Sequence, residues 1–98
     1  MDVVKEIGLP AALEQCAEEC TELAQACMKL ARKYREENPT PRTEEELLEN
    51  LKEEIADTIL CVNLVKGAIE NNPEELRHGI DIKKRRWENR IKEHKEAK

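Results

Sequence analysis

Phenylalanine is absent from the 98-residue sequence, and it holds only one tryptophan, one tyrosine and three glycines. So few aromatic residues and turn glycines leave little from which to build a sheet, whereas 40% charged residues suits long amphipathic helices. An all-α fold is expected. No apolar run approaches the ~18 residues of a membrane span, and the N-terminus has neither a basic start followed by an apolar core nor a small-residue cleavage site. These absences predict a cytoplasmic chain with no membrane partner. The four cysteines form no CxxC pair, no histidine stands at metal-ligand spacing from them, and thiols on successive turns of one helix have poor disulfide geometry. Cys16, Cys20 and Cys27 share a stripe with Leu13, Leu23 and Leu30 and are expected as buried free thiols, with metal or redox use as the alternative.

What is present is charge, unevenly distributed. Residues 1–76 carry 8 Lys/Arg against 18 Asp/Glu, whereas residues 77–98 carry 9 against 4, within a net charge of −5. A basic end can serve nucleic acid, or one helix can handle phosphate while the others handle metal. A single domain of this length buries only about 60 to 65% of its unfolded surface, which favours self-association.

Proline and asparagine divide the chain into three long helices, spanning about 10–37, 44–70 and 73–95 in one domain over residues 1–98. Pro10 suits a first helical turn. Asn38-Pro39-Thr40-Pro41 stops that helix, because two prolines remove donors and push their predecessors out of the α region. Thr43 with Glu46 forms a capping box for the second helix. Asn71-Asn72-Pro73 ends it, and Asn72 with Pro73 and Glu75 starts the third. The main stripe of the second helix is Leu47, Leu48, Leu51, Ile55, Ile59, Val62, Val65 and Ile69, and the thinner stripe of the third is Leu76, Ile80, Trp87 and Ile91. The third helix is therefore expected to lean on the bundle, with Trp87 packing it there or stacking on a base.

Two acidic clusters stand inside the first two helices, Glu18-Glu19-Cys20-Thr21-Glu22 and Glu53-Glu54-Ile55-Ala56-Asp57. Spacing of three puts Glu19 with Glu22, and Glu54 with Asp57, on shared helix faces. Like charges one turn apart repel, so a fold that joins both pairs calls for a cation between them, and four hard oxygen donors favour Mg²⁺. Glu54 and Asp57 are flanked by apolar positions on both sides, as a pocket requires and a solvated acidic face does not. Gln15 lies one turn before Glu19. Lys83, Arg86 and Arg90 share a face of the third helix and are either a phosphate grip or a solvated basic face. His78 and His94 read as surface residues.

ExxE in one long helix, ExxD in the next and a Lys/Arg-bearing third helix resemble the MazG-like all-α nucleoside triphosphate pyrophosphohydrolases, related to the all-α dUTP and dCTP pyrophosphatases. Glu18-Glu19-Cys20-Thr21-Glu22-Leu23 is similar to that family's EExxEL and Glu54-Ile55-Ala56-Asp57 to its ExxD, over roughly residues 9–91. The resemblance implies a helical bundle in which Glu19, Glu22, Glu54 and Asp57 hold Mg²⁺, with Mn²⁺ as a substitute, and hydrolysis of (d)NTP to (d)NMP and pyrophosphate. Glu18 or one of the ligands is then the candidate general base, and Gln15, Lys83, Arg86 and Arg90 are the candidate substrate contacts. Residues 23–53 between the motifs are long for the family, and few aromatics exist to sandwich a base. The expected assembly is a homo-oligomer, dimer or tetramer, in which the first two helices of each chain complete a four-helix core.

Other classes fit less of the pattern. A di-iron bundle calls for an ExxH on each of two helices, and only Glu75-Leu76-Arg77-His78 has that spacing, His94 having none. Nucleic-acid binding is opposed by the net acidity and the lack of an aromatic platform. A non-catalytic helical interaction module explains the amphipathicity and is the alternative.

Overall fold

The computed structural model describes residues 1–36, 38–70 and 72–97, and its regular structure is entirely helical: α1 (Val3–Ile7), α2 (Leu9–Arg35), α3 (Glu44–Ile69) and α4 (Pro73–Glu96). Glu37, the expected end of the first long helix, and Asn71, in the expected second break, lie outside the described residues. The expectation of three helices misses α1. That short helix is capped by the Asp2 side chain, which accepts from Lys5 N–H at 3.1 Å, and it ends at Gly8, whose φ of 90° is open to glycine and costly for other residues.

The caps explain the remaining boundaries. Pro10 sits in the first turn of α2, and Glu36 ends that helix in the left-handed region, φ 58°, its N–H bonding to the Arg32 and Lys33 carbonyls. The Thr43 hydroxyl accepts from Glu46 N–H at 3.1 Å and lies 3.2 Å from the Glu46 carboxylate, to which it donates. The helix-capping half of the expected box is thus formed, with the Glu46 side chain turned to the hydroxyl. Asn72 caps α4 by accepting from Glu74 N–H at 3.1 Å.

α2 and α3 pair as an antiparallel hairpin. The residues turned inward are Ala12, Cys16, Glu19, Leu23, Ala26 and Leu30 on α2, and Leu47, Leu51, Glu54, Thr58, Cys61 and Val65 on α3, all buried or half-buried. Steps of four and three on both helices are the 3.5-residue period of a coiled-coil seam. The Thr58 hydroxyl donates to the Glu19 carbonyl at 3.2 Å and so fixes the register. Stepping out from that layer puts Cys16 level with Cys61, Leu23 with Glu54, and Leu30 with Leu47.

This seam corrects the expected cores. The stripe one position further along α2, Leu13, Cys20, Cys27 and Tyr34, is exposed, so Cys20 and Cys27 are not the buried thiols expected, while Cys16 and Cys61 are half-buried. On α3 the corresponding residues Ile55, Ile59, Val62 and Ile69 are 40 to 60% exposed. In an antiparallel pair a one-residue step rotates both helices toward the same side, so these residues form one continuous apolar face.

α4 is the second correction. It packs against none of the other described helices, and Leu76, Ile80, Trp87 and Ile91 are all exposed, Trp87 at 64%. The chain is consequently open, with a radius of gyration of 17.6 Å against about 13 Å for a compact domain of this length. Its accessible surface is 8210 Å², where a compact monomer of 11.4 kDa has about 5,800 Å². No described helix is long and apolar enough to cross a membrane.

Candidate metal centre

The middle of the seam is polar. Glu19 of α2 and Glu54 of α3 occupy inward positions where an apolar pair would close a coiled coil, and Glu22 lies one turn after Glu19. Each of these three residues offers a carboxylate oxygen, and the three oxygens lie within 4.8 Å of one another. Gln15 Nε2 donates to Glu19 Oε1 at 3.0 Å. Glu19 Oε2 and Glu54 Oε2 are buried and have no hydrogen-bond partner.

An unpartnered carboxylate oxygen is costly, and the site answers by disfavouring charge. Desolvation raises the Glu19 carboxyl above its ordinary 4.5, with the Glu22 and Asp57 charges adding to the shift and the Gln15 hydrogen bond opposing it. Desolvation likewise raises Glu54, followed by the charges of Glu22 and Glu19. Asp57 stands outside the three-oxygen group but close enough that its charge acts on both residues, and it is exposed.

Cys61 and Cys16 border the same region. Desolvation raises both thiols, with Glu19 next in effect on Cys61 and Cys20 next on Cys16, which holds them in the protonated form that is a poor metal ligand. The donor set is therefore carboxylate oxygen from two helices, with one unmet oxygen on each. That chemistry fits a hard divalent cation such as Mg²⁺ better than zinc.

Of the residues singled out from sequence, Glu19, Glu22 and Glu54 come together, with Asp57 and Gln15 beside them. Glu18 is exposed on α2 and outside the cluster. Lys83, Arg86 and Arg90 are exposed on α4, which packs on no other described helix, so this single chain does not bring them to the carboxylates.

Two features escaped the sequence reading. Thr58, 8% exposed, bolts α3 to α2 at the Glu19 turn. Its signal was present in the four-and-three spacing Leu47, Leu51, Glu54, Thr58, Cys61, in which it holds an inward position. The other is α1, which lies against α2 and α3 on the carboxylate side and closes a cavity of about 320 Å³ whose wall includes Val3, Ile7, Leu60, Gln15, Glu19 and Asp57. Asp2 as a cap and Gly8-Leu9-Pro10 as a break were its traces in the sequence.

Comparison with protein-family models, with curated proteins and with solved structures finds no match to this chain.

Proposed function

We propose that this chain is a Mg²⁺-dependent nucleoside triphosphate pyrophosphohydrolase, cleaving (d)NTP to (d)NMP and pyrophosphate in the cytoplasm. The observation that carries the reading is the pair of buried, unpartnered oxygens of Glu19 and Glu54 beside Glu22, an arrangement that repels itself until a cation enters. Its agreement with the EExxEL and ExxD resemblance supplies the chemistry. Glu19, Glu22 and Glu54 would hold Mg²⁺, and Asp57 would swing in or hold it through water. Bound Mg²⁺ supplies charge neutralisation on the phosphates and a lower pKa for the attacking water. Glu18, facing solvent beside the cluster, or one of the ligand carboxylates takes that water's proton. Gln15 holds Glu19 in place by its hydrogen bond.

The assembly proposed is a homo-oligomer, dimer or tetramer. Its support is the uncharged α2 face of Leu13, Ala17, Cys20, Ala24 and Cys27 beside exposed Ile55, Ile59 and Val62, which a second hairpin would cover as a four-helix core. The same face supports the second reading, a helical interaction module without catalysis. A pyrophosphate-release assay across the common NTPs and dNTPs separates the two. The hydrolase reading expects Mg²⁺-dependent pyrophosphate release that Glu19→Gln, Glu54→Gln and Asp57→Asn each abolish with helix content intact. Release of orthophosphate alone places cleavage at the wrong bond, and no release from any nucleotide supports the module.

A further inference from the structure

Cys16 on α2 and Cys61 on α3 stand level across the seam, and both are half-buried free thiols. The register comes from the Thr58 hydroxyl bonded to the Glu19 carbonyl, since each cysteine lies three residues from that contact on its own helix. The two thiols are close enough that Cys16 acts electrostatically on Cys61. Their layer lies between that of Ala12 with Val65 and that of Glu19 with Thr58. Ala12 is 5% exposed, so on the α2 side no bulky side chain props the helices apart there. Packed helices have axes about 8 to 10 Å apart and Cα radii of about 2.3 Å, which puts directly facing Cα atoms about 3.4 to 5.4 Å apart. A slight sideways offset brings such a pair within the about 4.4 to 6.8 Å that a disulfide spans.

The other two cysteines do not compete for this bond. Both are exposed outside the seam. Cys20 shares α2 with Cys16, where one-turn spacing gives poor disulfide geometry, and Cys27 lies about 16 Å along the helix from Cys16. Access favours Cys16 as the first sulfur to react. It lines an open cleft of about 740 Å³ with Val62, Val65, Leu76 and Ile80, wide enough to admit a small-molecule disulfide. Cys61 lies in the wall of the smaller cavity under α1.

We propose that Cys16 and Cys61 are a redox modification site, closing to an intramolecular disulfide that ties α2 to α3 one layer from Glu19 when the chain meets a small-molecule disulfide such as oxidised glutathione. Cys16 attacks one sulfur of the small disulfide: a bond forms between the two sulfurs, the small S–S bond breaks, and the departing thiolate takes up the proton that Cys16 lost. Cys61 then attacks the Cys16 sulfur, and its proton passes to the second small thiolate as that leaves. Two protein thiols are oxidised and one small disulfide is reduced to two thiols. Burial, which keeps both cysteines protonated, makes the exchange slow and shields the finished bond. In a reducing compartment the bond is made only when oxidised small disulfides accumulate. It does not rest on the hydrolase reading.

The test is to incubate the full native chain with oxidised glutathione, block the remaining thiols by alkylation and map the disulfides by mass spectrometry. The monomer should become lighter by two hydrogens, and trypsin should release residues 6–29 joined to residues 53–66. A Glu-specific protease cutting after Glu18 and Glu19 separates Cys16 from Cys20, so the wild type alone identifies the linked pair. The same linkage should form in Cys20→Ser/Cys27→Ser and should give way to mixed pairings when the wild type is oxidised in denaturant. Tm of the linked chain should rise by about 10 °C or more and return to its starting value with dithiothreitol. Linkage through Cys20 or Cys27, disulfides between chains, or glutathione adducts that never resolve each overturn the pairing. A chain linked through Cys16 and Cys61 whose Tm is unchanged or lower overturns the tie between the helices.

Discussion

Thr58→Val tests whether the hairpin is bolted at the carboxylates. The Thr58 hydroxyl, in a residue 8% exposed, donates to the Glu19 carbonyl at 3.2 Å, and valine keeps the shape while removing the donor. The Glu19 carbonyl retains its bond within α2, so no buried acceptor is orphaned, and the loss is the net worth of one hydrogen bond, about 0.5 to 1.5 kcal/mol. The added methyl recovers part of this, leaving about 0.5 to 1 kcal/mol. For a chain of this size that corresponds to a fall in Tm of about 2 to 8 °C. Thermal melts followed by circular dichroism, at fixed protein concentration and with and without millimolar Mg²⁺, supply both readouts. Because the bond sets where the Glu19 turn stands against Glu54, the Tm rise produced by Mg²⁺ should shrink in the variant. A variant with unchanged Tm and an unchanged Mg²⁺ response would refute the bolt, and a Thr58→Ser variant that loses the Mg²⁺ response would refute it equally, since serine keeps the donor.

In metal-free buffer, Glu54→Gln should be more stable than wild type near pH 7, with the gap closing as pH falls toward the ordinary carboxyl value of 4.5. The sign follows from a folded pKa raised above the unfolded one, which gives stability that is complete below the unfolded value and is lost as pH rises through the folded value; a gap constant across the pH series contradicts the shift. Leu47→Ala should cost about 2 to 5 kcal/mol in denaturant melts, since a fully buried leucine leaves a cavity, and Leu47 is only 1% exposed. Glu19→Leu with Glu54→Leu should raise the metal-free Tm and erase the Mg²⁺ response together, because apolar residues replace unpartnered charge in the seam; a lower Tm would mean that the two carboxylates support the hairpin without a cation.

The long helices were legible because their signals are local: Thr43 and Asn72 cap, Pro10 fits a first turn, and Pro39 and Pro41 break. Glu19 and Glu22 were legible as a pair by helix periodicity alone, but the same periodicity pairs Glu54 with Asp57, and the packed hairpin gathers Glu54 with Glu19 and Glu22 while Asp57 stands outside. What misled was the width of the apolar surface. Leu13, Cys20 and Cys27 lie one position from Ala12, Glu19 and Ala26, and a stripe drawn through the larger apolar residues passes beside the seam rather than along it. Hydrophobicity marks the positions that some partner covers, and it does not say whether that partner is α3 or another chain. α4 shows the same ambiguity, since Trp87 and Ile91 demand a cover that their own chain leaves unmet.

The polar layer in the seam ties these observations together. Apolar residues close the hairpin at one end through Leu30 and Leu47 and at the other through Ala12 and Val65, but the middle is held by Glu19, Glu54 and Thr58, and only Thr58 is satisfied within the protein. A seam built for stability alone would put leucine in all three places. Carboxylates there weaken the pairing of α2 with α3 unless something cationic lies between them, so the position of the helices and the charge state of the site are coupled. On the proposed reading, a bound cation and a cover on the outer apolar face would act on the same two helices, and each should therefore strengthen the other.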